Sequence, residues 1–388
     1  MKARDHPRKL GLCTRLLRAD TWVVPSKAST TRAVHDLVRH CHSGLDLPGL
    51  QRQLLQSVRR LMPVDAAFFA TADPETLLFT GAYAEEPLGA ATPLFLDNEF
   101  ASDDVNKFAA LATSSGHVAS LDAATHSDRA LSRRYRDIMS PLGLGDELRA
   151  ALVVDSQCWG YLCLHRADHP LGFTASETAL VAGLAPQLAH ALRQTVLLHG
   201  SAAGGTHEPG VVLLADDLSL VAVTPEAEHL LSLVAESRPG KLPLPVVVYT
   251  VAAALRAVEK GTALPWTVPA TRVRTISGQW LSLHASRLQG PAGAQRITVV
   301  IKNADPGATV PLLLSAYGLS PREGEVAKLV LRGTSTQAIS STLHISLHTV
   351  QDHLKAVFDK TGVRSRRDLV SQLLRPPDPE VKERPGKT

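Results

Sequence analysis

The hydrophobic positions between residues 319 and 375 recur with the period of short amphipathic helices. Four helices are predicted, and each begins with a residue whose hydroxyl suits an N-cap: Ser320, Thr334 or Ser335, Ser346 and Ser365. Gly333 suits the left-handed turn that ends the first helix. Only Ile345 and Ser346 separate the second helix from the third. This short connection indicates a helix-turn-helix arrangement, in which the last helix enters the DNA major groove.

The third predicted helix has two chemically different faces. The apolar face, which is expected to pack inward, consists of Val350, Leu354, Val357 and Phe358. The polar face supplies the candidate base-reading residues: His348, Gln351, Asp352 and Lys355. Gln pairs with adenine, Asp accepts from the cytosine amino group, and Lys meets guanine O6 and N7.

The charge of this segment favours contact with phosphate. Residues 319–375 contain nine Lys and Arg against five Asp and Glu, a formal charge of +4. The whole chain of 388 residues has the same formal charge, so the rest is near neutral in sum. Electrostatic attraction to a nucleic acid is therefore expected here and not elsewhere.

The same segment resembles the DNA-binding domain of LuxR-type (NarL/FixJ-like) bacterial transcription regulators. The residues that match the family pattern are LSPRE.EV followed by LV..G.S...I...L.IS..TV..HL..VF.K.GV.SR, where each dot stands for a position outside the pattern. The resemblance implies that Gln351, Asp352 and Lys355 face bases and that the fourth helix helps the protein to dimerise. It also implies contacts to DNA phosphates from five residues: Thr336, Thr349, Arg364, Ser365 and Arg366.

The segment departs from the family pattern at two positions. Gly324 stands where the family usually has a long polar residue, at a cost of about 1 kcal/mol in helix propensity relative to Ala. Gln351 stands where a Lys is common, which predicts weaker phosphate attraction and a different base preference.

Residues 30–198 are expected to form one sensory domain. Two helices, a hairpin, a polar helical stretch, a second hairpin and a long amphipathic helix follow one another. This order, with the strings CWGYLCLHR and FTASE, resembles a GAF domain. The resemblance implies either a ligand cup between the sheet and its helical insert or a dimerising scaffold. Four aromatic residues are candidates for lining such a cup, although strand aromatics also fill cores: Phe68, Tyr83, Trp159 and Tyr161.

Residues 211–303 show two strands, two helices and three strands, an order that resembles a PAS domain. The string VAVTPEAEHLL is similar to the strand-to-helix passage of that family. The remaining segments are predicted to be a basic N-terminal tail (1–29), two linkers (199–210 and 304–318) and a polar tail (376–388). The expected fold is therefore multidomain: an α+β GAF-like domain, an α+β PAS-like domain and an all-α four-helix LuxR-type helix-turn-helix domain (319–375).

Composition agrees with a globular protein of this kind. The chain is 44% hydrophobic and 20% charged, and its 4% aromatic content and 25 prolines are typical of actinobacterial proteins. No apolar run approaches 18 residues, so no membrane span is expected. The four cysteines form no CxxC pair and are expected to be reduced and buried in a cytoplasmic protein: Cys13, Cys41, Cys158 and Cys163.

Metal and nucleotide sites have little support in the sequence. His40 and Cys41 face different sides of a helix, so the cluster with His35 and His42 fits ordinary core or surface histidines better than a metal site. Two glycine-containing strings fail the phosphate-binding patterns: Gly386-Lys387-Thr388, because Val381 replaces the first glycine, and Gly143-Leu144-Gly145, because Leu148 replaces the third.

Phosphorylation and catalysis also lack a motif. Asp216 and Asp217 fall in a turn without the later residues of a receiver domain. No nucleophile, base and acid form a recognisable catalytic group, so no enzyme activity and no cofactor are expected. The sequence predicts a homodimeric transcription regulator that binds an inverted repeat in double-stranded DNA and responds to a small molecule or partner. The alternatives are an antagonist that heterodimerises with another regulator, and an enzyme that uses the GAF-like cup.

Overall fold

The computed structural model describes residues 27–168, 171–197, 207–234, 242–265, 267–289 and 295–374. The predicted polar tail, Cys13 and the basic tail up to residue 26 lie outside these ranges, as does most of the predicted linker 199–210. Among the described residues, no helix combines the length and the apolar composition needed to cross a bilayer.

The N-terminal domain (described residues 27–197) is a five-stranded antiparallel sheet with helices on both faces. Its helices are α1 (Lys27–Cys41), α2 (Leu47–Leu61), α3 (Thr92–Leu96), α4 (Phe108–Thr113), α5 (Leu121–Ala124) and α6 (Ala175–Thr195). Its strands are β1 (Ala66–Ala72), β2 (Phe79–Ala84), β3 (Val118–Ser120), β4 (Leu144–Val154) and β5 (Gln157–Ala167), in the order β2-β1-β5-β4-β3.

The two faces of this sheet have separate cores. Helices α1, α2 and α6 cover one side, here called the helix face. The insert of short helices between residues 88 and 142 covers the other side, here called the cup face. Long helix α6 begins at a capping box, in which Thr174 Oγ1 accepts from the Glu177 N–H and the Glu177 carboxylate accepts from the Thr174 N–H.

The middle domain (described residues 207–303) repeats the same strand order. It contains β6 (Gly210–Leu214), β7 (Leu220–Val223), α7 (Pro225–Ser232), α8 (Val246–Lys260), β8 (Ala270–Arg274), β9 (Trp280–Gln289) and β10 (Gln295–Asn303). The sheet runs β7-β6-β10-β9-β8. Helix α8 is apolar on nearly all sides because it packs both on this sheet and on the insert of the N-terminal domain. The two domains therefore share one hydrophobic core.

A helix occupies the segment that the sequence predicted to be a linker, residues 304–318. Helix α9 (Pro306–Ala316) starts at Asp305, whose carboxylate accepts a 2.7 Å hydrogen bond from the Gly307 N–H. Pro306 sits in the first turn, where its missing N–H costs no hydrogen bond. The sequence prediction of a linker did not include this helix.

Helix α9 belongs to two cores at once. Val310 and Leu314 lie on one side of the helix and pack in the core of the C-terminal helices. Leu312 and Ala316 lie on the opposite side and pack in the helix-face core of the N-terminal domain. A displacement of α9 would therefore be felt in both domains.

The C-terminal domain (described residues 306–374) adds four helices to α9: α10 (Pro321–Leu331), α11 (Thr336–Leu343), α12 (Leu347–Thr361) and α13 (Arg366–Leu374). The predicted caps are confirmed, since Ser320, Ser335 and Ser346 each accept from a backbone N–H three residues ahead. Ser365 does the same for the Asp368 N–H at 3.1 Å. Local capping chemistry therefore sets all four helix starts.

Two glycines of this domain provide a matched test of the backbone argument. Gly324 lies inside α10, and a methyl group at its position would meet nothing within 4 Å. We expect Gly324→Ala to raise the free energy of unfolding of this domain by about 0.5–1 kcal/mol. Gly333 has equal room but a φ of +78°, so Gly333→Ala should lower it by about 1 kcal/mol. Urea unfolding followed by circular dichroism measures the free energy of unfolding of both variants. Changes of the same sign would contradict the argument that only Gly333 needs the freedom of glycine.

Candidate functional site

The position of helix α12 is fixed by the turn before it. His344 ends α11 in the left-handed region with φ 53°, and Ser346 caps α12 through its side chain. The Arg322 guanidinium donates a 2.6 Å hydrogen bond to the Leu343 carbonyl, which ties α10 to the end of α11. This connection orients α12 across the other two helices, as the sequence predicted.

The two predicted faces of α12 are confirmed. Val350 and Val357 are fully buried, Leu354 is 8% exposed, and Phe358 packs against the same core. The four candidate base-reading residues form one exposed strip, here called the α12 strip: His348, Gln351, Asp352 and Lys355. His348 Nε2 lies 3.7 Å from Asp352 Oδ2, but both side chains are mostly exposed, so this pair holds neither firmly. The strip is therefore available to an incoming ligand.

The five candidate phosphate residues are held to different degrees. Arg364 is exposed and forms no ion pair or side-chain hydrogen bond among the described residues. The Arg366 guanidinium donates to the Thr334 carbonyl and to Thr336 Oγ1, at 2.9 and 2.8 Å. Ser365 caps α13, and Thr349 Oγ1 lies 2.8 Å from Ser346 Oγ. Arg366 and Thr336 thus hold the start of α11. Of the five candidates, only Arg364 forms no side-chain bond with a described residue.

One exposed apolar side chain beside the α12 strip was not identified from the sequence. Leu347, the first residue of α12, is 43% exposed. The helical period places it in line with the inward-facing Leu354 and Phe358, so the sequence carried no signal of its exposure. A leucine at this place offers an apolar contact for a thymine methyl group.

The four predicted cup residues do not share one face of the N-terminal sheet. Phe68 and Tyr161 lie on the cup face, where their rings pack with Phe95 and Phe108. Trp159 lies on the helix face, although it is two residues from Tyr161. A bulge is the reason: Leu152 pairs with Gly160 and Val153 with Cys158, so Trp159 is an extra residue in β5. The prediction that Trp159 lines the cup was wrong.

Tyr83 is also on the helix face. It pairs across the strands with Phe69, whose ring belongs to the helix-face core, and directly opposed residues share a face. The cavity left beside Phe68 and Phe95 measures about 10 Å³, which holds no more than one water molecule. Beside Phe68 and Phe95, protein side chains therefore fill the cup.

Buried charges fill much of the cup. Glu147 lies on β4 at 0% exposure and accepts a 2.7 Å hydrogen bond from Arg134 Nε. Arg149 donates to the carboxylate of Glu99 and to the carbonyl of Asn106, both at 2.8 Å, and its guanidinium stacks 3.8 Å from the Phe108 ring centroid. These side chains tie the insert to the sheet. Burial alone would raise the pKa of Glu147, but the nearby charges of Arg134 and Arg149 lower it to about 2.

Two further groups, Cys163 and His165, join this network at Glu147. Cys163 Sγ lies 3.4 Å from Glu147 Oε2 and 3.2 Å from His165 Nε2. Glu147, Cys163 and His165 could in principle hold a metal ion. Arg134 and Arg149 already lie against Glu147, however, so a cation at this place would face two fixed positive charges. Burial also raises the pKa of Cys163, which opposes a thiolate ligand. The geometry therefore favours a structural role.

His165 predicts a pH dependence of stability. Burial lowers its pKa to about 4 from 6.5, so the unfolded chain takes up a proton more readily than the folded one. This contribution to stability is complete above pH 6.5 and is lost as the pH falls toward 4, by about 3 kcal/mol in all. His165→Gln should remove this part of the acid sensitivity. Urea unfolding of both proteins between about pH 7 and pH 4 measures the difference, and equal losses would contradict the prediction.

The cysteines described by the structure agree with the expectation of reduced thiols. Cys41, Cys158 and Cys163 are buried and unpaired. Burial raises the pKa of Cys41 to about 12 and that of Cys158 to about 11. These thiols are therefore packing groups at neutral pH.

Two parts of the chain match known protein families. Residues 318–373 match the family described as bacterial regulatory proteins, luxR family, and residues 46–192 match the GAF domain. The chain is 40% identical over 57 residues to the spore germination protein GerE of Bacillus subtilis, which covers 15% of this chain and 77% of that protein. Both resemblances predicted from the sequence, to LuxR-type regulators and to GAF domains, are thus confirmed.

Two other relatives match this chain over only part of their own length. The chain is 28% identical over 111 residues to the probable HTH-type transcriptional regulator GfsR of Streptomyces halstedii, covering 28% of this chain and 46% of that protein. It is 41% identical over 58 residues to the monoamine regulon transcriptional regulator of Klebsiella aerogenes, covering 15% of this chain and 26% of that protein. The chain therefore spans about a quarter of the Klebsiella protein and less than half of the Streptomyces protein.

Proposed function

Because this chain belongs to the LuxR family of bacterial regulatory proteins, we propose that it is a transcription regulator that binds specific DNA sequences in the cytoplasm. The observation that carries the proposal is the α12 strip. It places His348, Gln351, Asp352 and Lys355 on one exposed side of a helix whose other side is locked into the domain core. A helix held in this way enters the major groove as a rigid body.

Each side chain of the strip has a distinct task in this proposal. Lys355 donates to guanine O6 and N7, and Gln351 pairs with adenine. Asp352 accepts from a cytosine amino group and is repelled by the backbone phosphates. It therefore disfavours positions of α12 on the DNA that would bring this carboxylate near a phosphate. Leu347 contacts a thymine methyl group. The binding preference therefore comes from a few neighbouring base pairs in each half-site.

Phosphate contacts fix where α12 sits on the duplex. Arg364 lies between α12 and α13 and is free to pair with a phosphate. Thr336, Thr349, Ser365 and Arg366 meet the same DNA backbone from positions set by their bonds within the protein. These contacts supply affinity without sequence preference.

We further propose that the protein acts as a homodimer on an inverted repeat, since two-fold protein symmetry maps onto two-fold DNA symmetry. Helix α13 carries the half-buried Val370 and Leu374 and is our candidate for the contact between the two DNA-binding domains. The GAF domain and the PAS-like middle domain control that arrangement through a ligand or partner. Helix α9 is the path, because it packs in the cores of both the N-terminal and the C-terminal domains.

The salt dependence of DNA binding tests this proposal. Loss of one phosphate contact reduces the slope of log K against log salt concentration by about 1. We expect Arg364→Ala to do so and to weaken binding to all sequences alike. Arg52→Ala removes a similarly exposed arginine from α2 and should leave the slope unchanged. Electrophoretic mobility shifts on mixed-sequence duplexes measure both, and an unchanged slope for Arg364→Ala would remove it from the interface.

A further inference from the structure

A cavity of about 430 Å³ lies where the N-terminal domain, the middle domain and helix α9 meet. Its walls come from the ends of β1, β2 and α6, from strand β8, and from Leu312 of α9. This volume falls in the range of small-molecule sites in proteins. It is separate from the cavity of about 10 Å³ beside Phe68 and Phe95 in the cup.

The cavity contains an arginine, Arg274, that forms no ion pair with any acidic residue that the structure describes. Arg274 is half-buried and donates to the carbonyls of Gly278, at 3.1 Å, and of Val196. Its Nη2 donates no hydrogen bond, and no carboxylate forms an ion pair with it, among the residues that the structure describes. Burial lowers the pKa of this guanidinium, and no described carboxylate offsets the desolvation. A half-buried positive charge of this kind is stabilised by an anion.

Arg272, in contrast, is fully matched. It donates two 2.9 Å hydrogen bonds to Asp73 and one of 2.6 Å to Glu75, across the contact between the two domains. Asp73 also lines the cavity, so its charge is already used. Asp46 lies at the exposed rim, where its carboxylate caps α2. Arg274 is thus the charge left over inside.

Aromatic and apolar groups surround this arginine. The Arg274 guanidinium lies 5.7 Å from the ring centroid of Trp280. Trp159, which the bulge in β5 places on this side of the sheet, is 2% exposed and lines the cavity. Its indole N–H has no acceptor among the described residues. Trp159 therefore supplies an apolar ring to the cavity wall, beside the charge of Arg274.

We propose that this interdomain cavity binds a small amphipathic carboxylic acid, with its carboxylate on Arg274 and its aromatic or branched alkyl body between Trp159 and Leu312. The guanidinium recognises the carboxylate by charge-assisted hydrogen bonds. The apolar walls exclude a highly hydrated anion such as inorganic phosphate.

The site would also connect a ligand to the DNA-binding domain, and this part rests on the proposed function. Leu312 touches the cavity while Val310 and Leu314, on the other side of the same helix, pack in the C-terminal core. An occupant that favours one position of α9 therefore changes the affinity for DNA. By linkage, DNA changes the affinity for the acid by the same factor.

Isothermal titration of the full chain with 1-naphthaleneacetate and with its uncharged amide tests the site. We expect the acid to bind at least about tenfold more tightly than the amide, because only the acid forms a charged pair with Arg274. Arg274→Met should reduce the affinity for the acid to that for the amide and leave the amide within about twofold. Retained amide binding shows that the variant is folded.

Two more variants complete the test. Arg296→Met removes an arginine of β10 outside the cavity and should change neither affinity. Thr195→Phe places a ring inside the cavity and should weaken both probes at least about tenfold. No binding of either probe at about 1 mM, equal affinities for acid and amide, or a preference that survives Arg274→Met would each overturn the proposal.

DNA binding separates failure of this site from failure of the proposed function. Arg274→Met without any probe should bind DNA as the parent does. If the acid binds through Arg274 but the protein selects no DNA sequence, the site stands and the regulatory function falls. If DNA is selected but neither probe binds, the function stands and the site falls.

Discussion

Replacing Glu147 by alanine is expected to destabilise the N-terminal domain by about 3–5 kcal/mol, the largest effect predicted for a single residue of this chain. Glu147 is fully buried between the guanidinium groups of Arg134 and Arg149. Without Glu147, two buried arginines keep one carboxylate each. Arg149 still pairs with Glu99, and Arg134 has only Asp104, at 3.8 Å. The free energy of unfolding, measured in urea and followed by fluorescence, reports the loss.

A double variant separates the charge from the packing. Glu147→Met combined with Arg134→Met removes one buried ion pair completely and should recover much of the stability lost in Glu147→Ala, because no unpaired charge is created within that pair. Asp36→Ala, which breaks the exposed ion pair with Arg39, should cost less than about 1 kcal/mol. If Glu147→Ala costs no more than Asp36→Ala, the network does not hold the insert on the sheet.

The second large effect concerns base preference. Lys355→Ala should change the preferred base at one position of the half-site by about 1–3 kcal/mol, because the lysine would meet guanine O6 and N7. Binding of the parent and the variant to duplexes that differ at single base pairs measures this change. Affinity for other positions should fall little.

Arg364→Ala is the matched comparison for Lys355→Ala. Both variants remove one exposed positive charge from the same domain. The loss in Arg364→Ala should be equal for every sequence, whereas the loss in Lys355→Ala should depend on one base pair. Equal losses across all duplexes for both variants would mean that Lys355 faces the backbone and that the base-facing assignment is wrong.

The C-terminal helices were predictable because their signals are local. Ser320, Ser335 and Ser346 cap helices where the sequence placed them, and the buried and exposed sides of α12 follow the helical period. Helix α9 was not predicted, although Asp305 is a good N-cap and Pro306 suits the first turn. Whether a proline ends or begins a helix depends on its register, which is fixed only when the flanking residues pack.

The candidate sites of the N-terminal domain depended on information that is not local. The bulge at Trp159 moves one aromatic residue to the other face of the sheet, and strand alternation alone cannot reveal an extra residue. The buried network joins Glu99, Arg134 and Glu147, which are far apart in the sequence and form no motif. One signal was present: Glu147 and Arg149 alternate with apolar residues in β4, where a charged face implies partners inside.

Selection of bound duplexes from a pool of random DNA by the full chain, at about 150 mM salt, tests the central claim most directly. The account predicts an enriched inverted repeat, and it predicts that the enrichment disappears in the double variant Gln351→Ala, Lys355→Ala while nonspecific binding remains. Recovery of no common sequence would contradict the claim and would favour an antagonist that acts by heterodimerising with another regulator.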